Sequence, residues 1–365
     1  MRNVWCLVAL GLLLNPLYGG DALSVALTAA VDTAVQKEIH QQKLVGTAIG
    51  VIRGGKIVYL KAYGDADLAT KKPVTLETVF NWASNSKPLA AVLAMQLVEK
   101  GLLDLDADVR TTVPEFPDKI AIMTCRQILC HQSGIPHYTN GKIIPTLRKH
   151  TEKDPSMDPL ISLEKFDKSP LIFQPGAKTA YSSYAYVLLS AAIQKAGKQP
   201  FAEQVRERVT KPLALTSFEW DTVNLKPSWA TGYEMNNGTI VVTPDVAHDW
   251  KHGAGGFKSN IKDFARWAQA LVNRELVTEA TQSKLWTPQP LKDKSPTTWG
   301  LGFVLGGSGD KLRVSHGGSQ NETRTIMMLV PKERRGIVVM SNCNFAEVGK
   351  IAAAVDAALG GAKSR

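Results

Sequence analysis

Cysteine is scarce in this chain: four residues in 365, one of which, Cys6, lies in an apolar leader. Cys125, Cys130 and Cys343 remain, too few for the disulfide framework of a stapled extracellular scaffold. Cys125 and Cys130 fall on different faces of one predicted helix, beyond the Cα separation a disulfide spans. Buried apolar thiols are the expectation for them. The chain also lacks an apolar run of about 20 residues, so no transmembrane helix is predicted. It has no Gly-x-Ser-x-Gly elbow, which argues against an α/β-hydrolase, and no Gly-rich phosphate loop ending in Lys-Ser/Thr. The formal charge of +10 comes from 43 Lys and Arg spread along the sequence. No basic run is interleaved with aromatics, so nucleic acid is a poor fit as a partner. Anionic cell-envelope polymers suit that charge better.

What is present begins at the N-terminus. Arg2 precedes an apolar run, Val4 to Leu14, followed by Asn15-Pro16 and small residues up to Ala22. This pattern reads as a secretory signal peptide over residues 1–22, with Gly20-Asp21-Ala22 as the cleavage region. An uncleaved anchor is the alternative. A secreted or periplasmic location is expected.

Beyond the leader, a helix is predicted over Ser24–Lys43, then strands Gly46–Arg53 and Lys56–Tyr63 joined by the hairpin signal Gly54-Gly55. A long, mainly helical region follows. It holds an apolar helix with Leu89, Val92, Leu93 and Leu97 on one stripe, a short helix ending at Cys130-His131, and the helix Tyr184–Ala196 closed by Gly197. The charged stretch Asn140–Ser169 reads as a mobile surface excursion. Strand patterns return at Gly300–Leu305, Leu312–Ser315, Thr323–Val330 and Gly336–Ser341, and an Ala-rich helix closes the chain. The economical architecture is an α+β fold. Residues 23–75 and 286–365 would form an antiparallel sheet domain, residues 76–285 an inserted helical domain, and the active site would lie between them.

The segment Ser84-Asn85-Ser86-Lys87 carries the sharpest chemical signal. Serine and lysine three apart share a helix face. A partly desolvated amine there can take the serine proton and make a nucleophile. The spacing recurs at Ser162/Lys165, Ser259/Lys262 and Ser308/Lys311. Only Ser84 follows a strand-like aromatic run and opens a long apolar helix, with Pro88 in its first turn. Ser162 and Lys165 lie in a charged stretch without a core, Ser259 reads as a cap for the helix Asp263–Val272, and Ser308 is in a Gly-rich turn. On the local segment alone, Ser84 is also readable as a helix cap with a solvated lysine.

Three further constellations carry chemistry. Tyr181-Ser182-Ser183 stands at a loop-to-helix junction, where a phenol beside a lysine can shuttle protons; a packed tyrosine beside a capping serine is the plainer reading. His316-Gly317-Gly318-Ser319 ends a predicted strand where glycines admit a ligand to the backbone and the next amide can serve an oxyanion; a simple strand-ending turn is the alternative. His248 and His252, four apart, resemble a zinc helix, but Pro244 and Gly253 leave room for two turns at most and no third ligand is evident.

Taken in order, Ser84-x-x-Lys87, Tyr181-Ser182-Ser183 and His316-Gly317-Gly318 resemble the three motifs of the serine β-lactamase and penicillin-binding-protein superfamily, in its class C-like branch. Leu129-Cys130-His131-Gln132-Ser133-Gly134-Ile135-Pro136, Gln174-Pro175-Gly176, Gly255-Gly256-Phe257-Lys258-Ser259 and Trp299-Gly300-Leu301-Gly302-Phe303 are similar to its other signposts. Val113-Pro114-Glu115-Phe116-Pro117 and Gly134-Ile135-Pro136-His137-Tyr138 look most like the mitochondrial, filament-forming, peptidase-like subgroup. The resemblance implies Ser84 as acylated nucleophile, Lys87 as its base and Tyr181 as proton relay. It implies the amides of Ser84 and Ser319 as oxyanion hole, with Ser183, His316 and Gly318 toward the substrate. No cofactor and no metal is implied.

Two departures stand out. Ser183 replaces the usual Asn, and Gly317 lacks the usual middle hydroxyl. Weak or absent β-lactamase activity is therefore expected, and Arg324 is a candidate partner for a substrate carboxylate. The leading expectation is an exported serine hydrolase acting on a peptide or ester, cell-wall derived or otherwise. A non-catalytic, assembling envelope protein and a zinc hydrolase at His248/His252 are the competing readings.

Overall fold

The computed structural model describes residues 23–146, 158–222, 226–244 and 246–360. The leader and its cleavage region lie outside the described residues, as does the middle of the charged stretch 140–169.

The chain opens with α1 (Val25–Gln42), β1 (Gly46–Arg53), β2 (Lys56–Asp67) and the short β3 (Lys72–Pro73). β4 (Val79–Asn81) leads through a single 3-10 turn, Ala83–Asn85, into α2 (Ser86–Glu99). The middle holds α3 (Val109–Thr112), α4 (Cys125–Leu129), α5 (Pro159–Ser162), α6 (Ser183–Gly197) and α7 (Phe201–Val205). Next come β5 (Glu219–Trp220), the hairpin β6 (Tyr233–Asn236) and β7 (Thr239–Val242), and β8 (Phe257–Asn260). α8 (Ile261–Asn273) and α9 (Glu279–Leu285) precede β9 (Val304–Gly306), β10 (Arg313–Gln320), β11 (Thr323–Val330), β12 (Arg335–Ser341) and α10 (Val348–Ala358).

Among the described residues the largest sheet has seven strands in the order β3-β2-β1-β12-β11-β10-β9, all antiparallel. β1 and β12, from opposite ends of the chain, pair at its centre. The predicted hairpin forms at Gly54-Gly55, both at positive φ (+57° and +80°), as a tight two-residue turn demands. Alternation along β12 builds two cores from one strand. Ile337 and Val339 join Val31, Val35, Ile351 and Val355 beneath α1 and α10. Val338 and Met340 join Ala265, Ala268 and the larger core on the other face. Every residue of β12 is buried because helices cover both faces. The fold is thus a mixed α/β architecture with an antiparallel sheet flanked by helices.

α2 is the hub of the helical layer. It is buried all round, from Ser86 through Met95 and at Leu97, rather than along one stripe. A helix apolar on every side belongs in a core.

Three sequence expectations need correction. The described end of the charged stretch is packed: Ser162 is fully buried and Leu163 and Phe166 join the main core, because aromatic and aliphatic residues are interspersed with its charges. The α8 cap is Asn260, whose side chain accepts from Asp263 N, while Ser259 accepts from the Trp82 indole at 2.7 Å. Finally, α8 falls within the segment expected to form the inserted helical region, yet it packs against β1 and β12 of the large sheet.

β10 runs so close to the 3-10 turn that Gly318 has no room for a side chain: a Cβ there would overlap the Trp82 carbonyl and press on Ala83. Its neighbour Gly317 has nothing nearer than 3.9 Å. Gly318→Ala should therefore cost about 1–3 kcal/mol in urea unfolding, and Gly317→Ala should stay within about 0.5 kcal/mol.

Candidate active site

The site is built on the junction between β4 and α2. Trp82 is buried against Phe218, Phe264 and Trp267, and its N–H bond to Ser259 fixes the end of β4 to β8. The next residue, Ala83, has φ +47°, a conformation that costs energy outside glycine. Hydrogen bonds hold it there. Ala83 N–H donates to Asn81 Oδ1, and Ser86 Oγ donates to Ala83 O at 2.8 Å. Thr325 on β11 donates to Trp82 O at 2.9 Å and accepts from Asn85 Nδ2 at 2.8 Å. The strained turn lifts Ser84 out of the core at the head of α2.

Lys87, one turn on, is completely buried. Its Nζ lies 2.6 Å from Ala254 O, 3.1 Å from Ser183 Oγ and 3.2 Å from Ser84 Oγ. Burial, reinforced by the charge of Lys251, pushes its pKa well below that of an ordinary lysine. A neutral amine has two N–H groups and a lone pair, which match these three neighbours: two acceptors and the Ser84 hydroxyl. Tyr181 completes the group. Its phenol contacts the hydroxyls of Ser84 and Ser183, and its ring stands 4.8 Å from Lys87 Nζ. Burial raises the Tyr181 pKa, so the phenol keeps its proton at neutral pH.

These groups open into a cleft of about 530 Å³ whose walls include Ser84, Tyr181, Ser183, His316 and Ser319. Gly317 lines it too, whereas Gly318 faces Trp82 and Ala83 behind the wall. The substrate-side position in this motif is therefore Gly317, and Gly318 is the packing glycine. Strand alternation puts Gly317 and Ser319 on one face of β10 and Gly318 on the other, although His316 also lines the cleft. His316 carries no charge here. Burial and Lys87 push its pKa down to about 3. Its Nδ1 sits 2.7 Å from Gly317 O, so that nitrogen bears the proton and Nε2 is an acceptor.

Sequence reasoning missed four participants. His137 lines the cleft, and its Nδ1 accepts from Ser183 N at 3.2 Å; burial, then Lys87 and Lys251, push its pKa down to about 4. His131 stacks on Tyr181 at 4.3 Å and accepts from Ser182 N. Both lie in the His-Gln-Ser-Gly-Ile-Pro-His run, which was visible only as a signpost. Lys251, from the turn before β8, and Gln320, at the end of β10, also line the cleft, and no local pattern marks either. Arg324, by contrast, donates to Gln320 O and Thr323 O and is not among the residues lining the cleft.

The other serine–lysine pairs take structural roles. Ser162 bonds to His252, Ser259 to Trp82, and Ser308 and Lys311 are exposed. His248 and His252 do not converge: His252 meets Ser162 and Phe201, whereas His248 faces Glu322. Among the described residues, Asp221, His248 and Glu322 bring ligand atoms within 4.8 Å of one another. Lys258 Nζ lies 2.7 Å from Asp221 and already supplies a cation, so a metal there would meet its repulsion.

The sequence profile of the Beta-lactamase family matches residues 31–361. The chain belongs to the beta-lactamase family. Protein flp of Staphylococcus aureus (strain MRSA252) is 25% identical over 331 residues, covering 88% of this chain. The chain spans only 64% of that relative's length. Penicillin-binding protein 4* of Bacillus subtilis (strain 168) is 27% identical over 311 residues, 81% of this chain and 68% of that protein. Two solved structures share the fold. EstCE1, a hydrolase with promiscuous acyltransferase activity, superposes with TM-score 0.78 at 20% identity, over 92% of this chain and 99% of that one. The D-amino acid amidase of Ochrobactrum anthropi SV3 gives 0.76 at 20%, over 92% and 99%. In this beta-lactamase-family chain the serine, lysine and tyrosine of the motifs thus meet in one cleft.

The buried amine has a measurable consequence. Because the folded pKa of Lys87 lies below its unfolded value, unfolding takes up a proton at every pH between the two, and lowering the pH across that window destabilises the protein. Lys87→Met removes this penalty. The variant should exceed the parent in urea midpoint, by a margin that grows as pH falls below about 10.

Proposed function

We propose that this protein is a serine hydrolase that forms an acyl-enzyme on Ser84 with ester or peptide-like amide substrates, and that it has weak or no β-lactamase activity. The observation that carries the reading is the buried Lys87 amine, 3.2 Å from Ser84 Oγ. Lys87 takes the Ser84 proton as the oxygen attacks the substrate carbonyl. The amides of Ser84 and Ser319 receive the oxyanion. Tyr181, kept protonated by burial, passes a proton to the leaving group and is reprotonated from Lys87. Water then attacks the acyl-enzyme by the same relay in reverse, freeing the acid and Ser84.

The substrate side supports an ester or a simple amide over a β-lactam. Ser183 offers a short hydroxyl, already engaged by Lys87, where a longer amide would reach the substrate. Gly317 offers no hydroxyl and His316 no charge. The fold neighbours named as a hydrolase with promiscuous acyltransferase activity and a D-amino acid amidase are consistent with this, whereas the name of Penicillin-binding protein 4* points toward penicillin binding. The N-terminal leader suits export to a secreted or periplasmic site.

Intact-mass spectrometry of the protein and of Ser84→Ala, with a fluorophosphonate and with a penicillin, tests the reading. One fluorophosphonate adduct, absent from Ser84→Ala, is expected, with slow or no penicillin adduct. Absence of the fluorophosphonate adduct on folded protein would defeat the proposal and favour a binding or assembling role. The double substitution Ser183→Asn/Gly317→Thr should raise the penicillin acylation rate at least tenfold.

A further inference from the structure

We infer that Asp221, a buried carboxylate outside the cleft, is a positioning residue for Ser84. As a group that only accepts hydrogen bonds, it fixes which way round the Asn81 amide sits, and the Asn81 oxygen in turn holds the strained turn at Ala83. The catalytic readout of this inference rests on the acyl-enzyme reading; its structural readout does not.

Asp221 and Asn81 are not among the residues lining the cleft, and both are almost wholly buried. Asn81 ends β4 and Asp221 follows β5, on either side of β8. The Asp221 backbone is anchored. Its N–H donates to Gly256 O, and its carbonyl accepts from His248 N and Asp249 N. The carboxylate is divided between two donors. Lys258 Nζ lies 2.7 Å from Oδ1, and Asn81 Nδ2 donates to Oδ2. With both oxygens accepting, the Asn81 amide must turn its NH2 toward Asp221. Its Oδ1 then accepts from Ala83 N–H and, at 2.7 Å, from Gln320 Nε2.

Reversing that amide would set donor against donor at Ala83 and leave a buried N–H without an acceptor. The other grips on the turn cannot replace it. Ser86 and Thr325 donate to the carbonyls of Ala83 and Trp82, and neither accepts from Ala83 N–H. Ala83, at φ +47°, immediately precedes Ser84. Loss of its N–H bond therefore loosens the residue that sets the direction of the nucleophile.

The requirement is one of polarity, and it can be separated from charge and size. In Asp221→Asn the amide has one acceptor, which Lys258 takes. Its NH2 then meets the Asn81 NH2, and relief comes from reversing Asn81. In the exchanged variant Asn81→Asp/Asp221→Asn every bond direction returns. The carboxylate at position 81 accepts from Ala83, Gln320 and the amide at position 221, whose oxygen stays with Lys258. Net charge and composition are those of the parent.

The test compares parent, Asp221→Asn and the exchanged variant. Burial raises the Asp221 pKa, so mildly alkaline buffer is used to keep the carboxylate ionised. Tryptophan labelled with 13C at the carbonyl and alanine labelled with 15N pick out three amides, Ala83, Ala230 and Ala268. Ala83→Gly identifies the first by its loss. The Ala83 amide should exchange with solvent about tenfold faster or more in Asp221→Asn. The rate of fluorophosphonate labelling should fall by about tenfold or more in the same variant. Both should return to within about threefold of the parent in the exchanged variant. An Ala83 amide unmoved by Asp221→Asn, or an exchanged variant no better than the single one, would overturn the inference. If Asp221→Asn does not fold, the exchanged variant decides: parent-like Ala83 protection is expected, and an unfolded or unprotected protein overturns the inference. No labelling of the parent, with Ala83 protection lost and regained across the set, would sink the acyl-enzyme reading and leave this one standing.

Discussion

An amine buried with no counter-ion among the described residues governs the site. Lys87 is fully enclosed, and its neighbours are a carbonyl and two hydroxyls rather than a carboxylate. An isolated ammonium in such surroundings costs several kcal/mol, so the group neutralises instead. Neutrality gives it the lone pair that, in the proposed reaction, would take the Ser84 proton. The all-round burial of α2, the placement of Ala254 O and the short side chain at Ser183 are all conditions for that state. The histidines around it follow the same logic: burial lowers the pKa of His131, His137 and His316.

The scaffold works by bringing separated segments to one point. β4 and α2 present Ser84 and Lys87, the start of α6 presents Ser183 beside Tyr181, and β10 closes the wall. The last approach depends on Gly318 lacking a side chain. The strained Ala83 is held by Asn81, which also fixes Gln320 and meets the buried Asp221–Lys258 pair. Strain at Ala83, the residue before Ser84, is thus offset by a polar network that spans three strands. That network explains why buried charge is tolerated beside the cleft: each member has a partner that fixes its direction.

The sequence made the motif order and the two-ended sheet legible. β1, β11 and the Gly54-Gly55 hairpin follow from alternation and turn chemistry, and Thr323–Val330 has the predicted bounds. Ser84, Lys87, Tyr181, Ser183, His316 and Ser319 could be picked out because they sit in ordered short motifs. The stretch around Ser162 was misread because its charges masked Leu163 and Phe166, whose burial depends on tertiary partners such as α6. Gly317 and Gly318 exchanged roles because which glycine faces the cleft depends on strand register, and the register depends on pairing with β11. Lys251 and Gln320 were invisible: they meet only when the turn before β8 folds against the end of β10, some 70 residues away.

The central claim concerns the ionisation of one side chain, and it can be read directly. Lysine labelled with 13C at Cε, with Lys87 assigned by its absence in Lys87→Arg, would be titrated by NMR in the intact protein. The account predicts that the Lys87 Cε signal titrates well below the ordinary lysine value of about 10.4. A Lys87 signal that titrates with the surface lysines would contradict it.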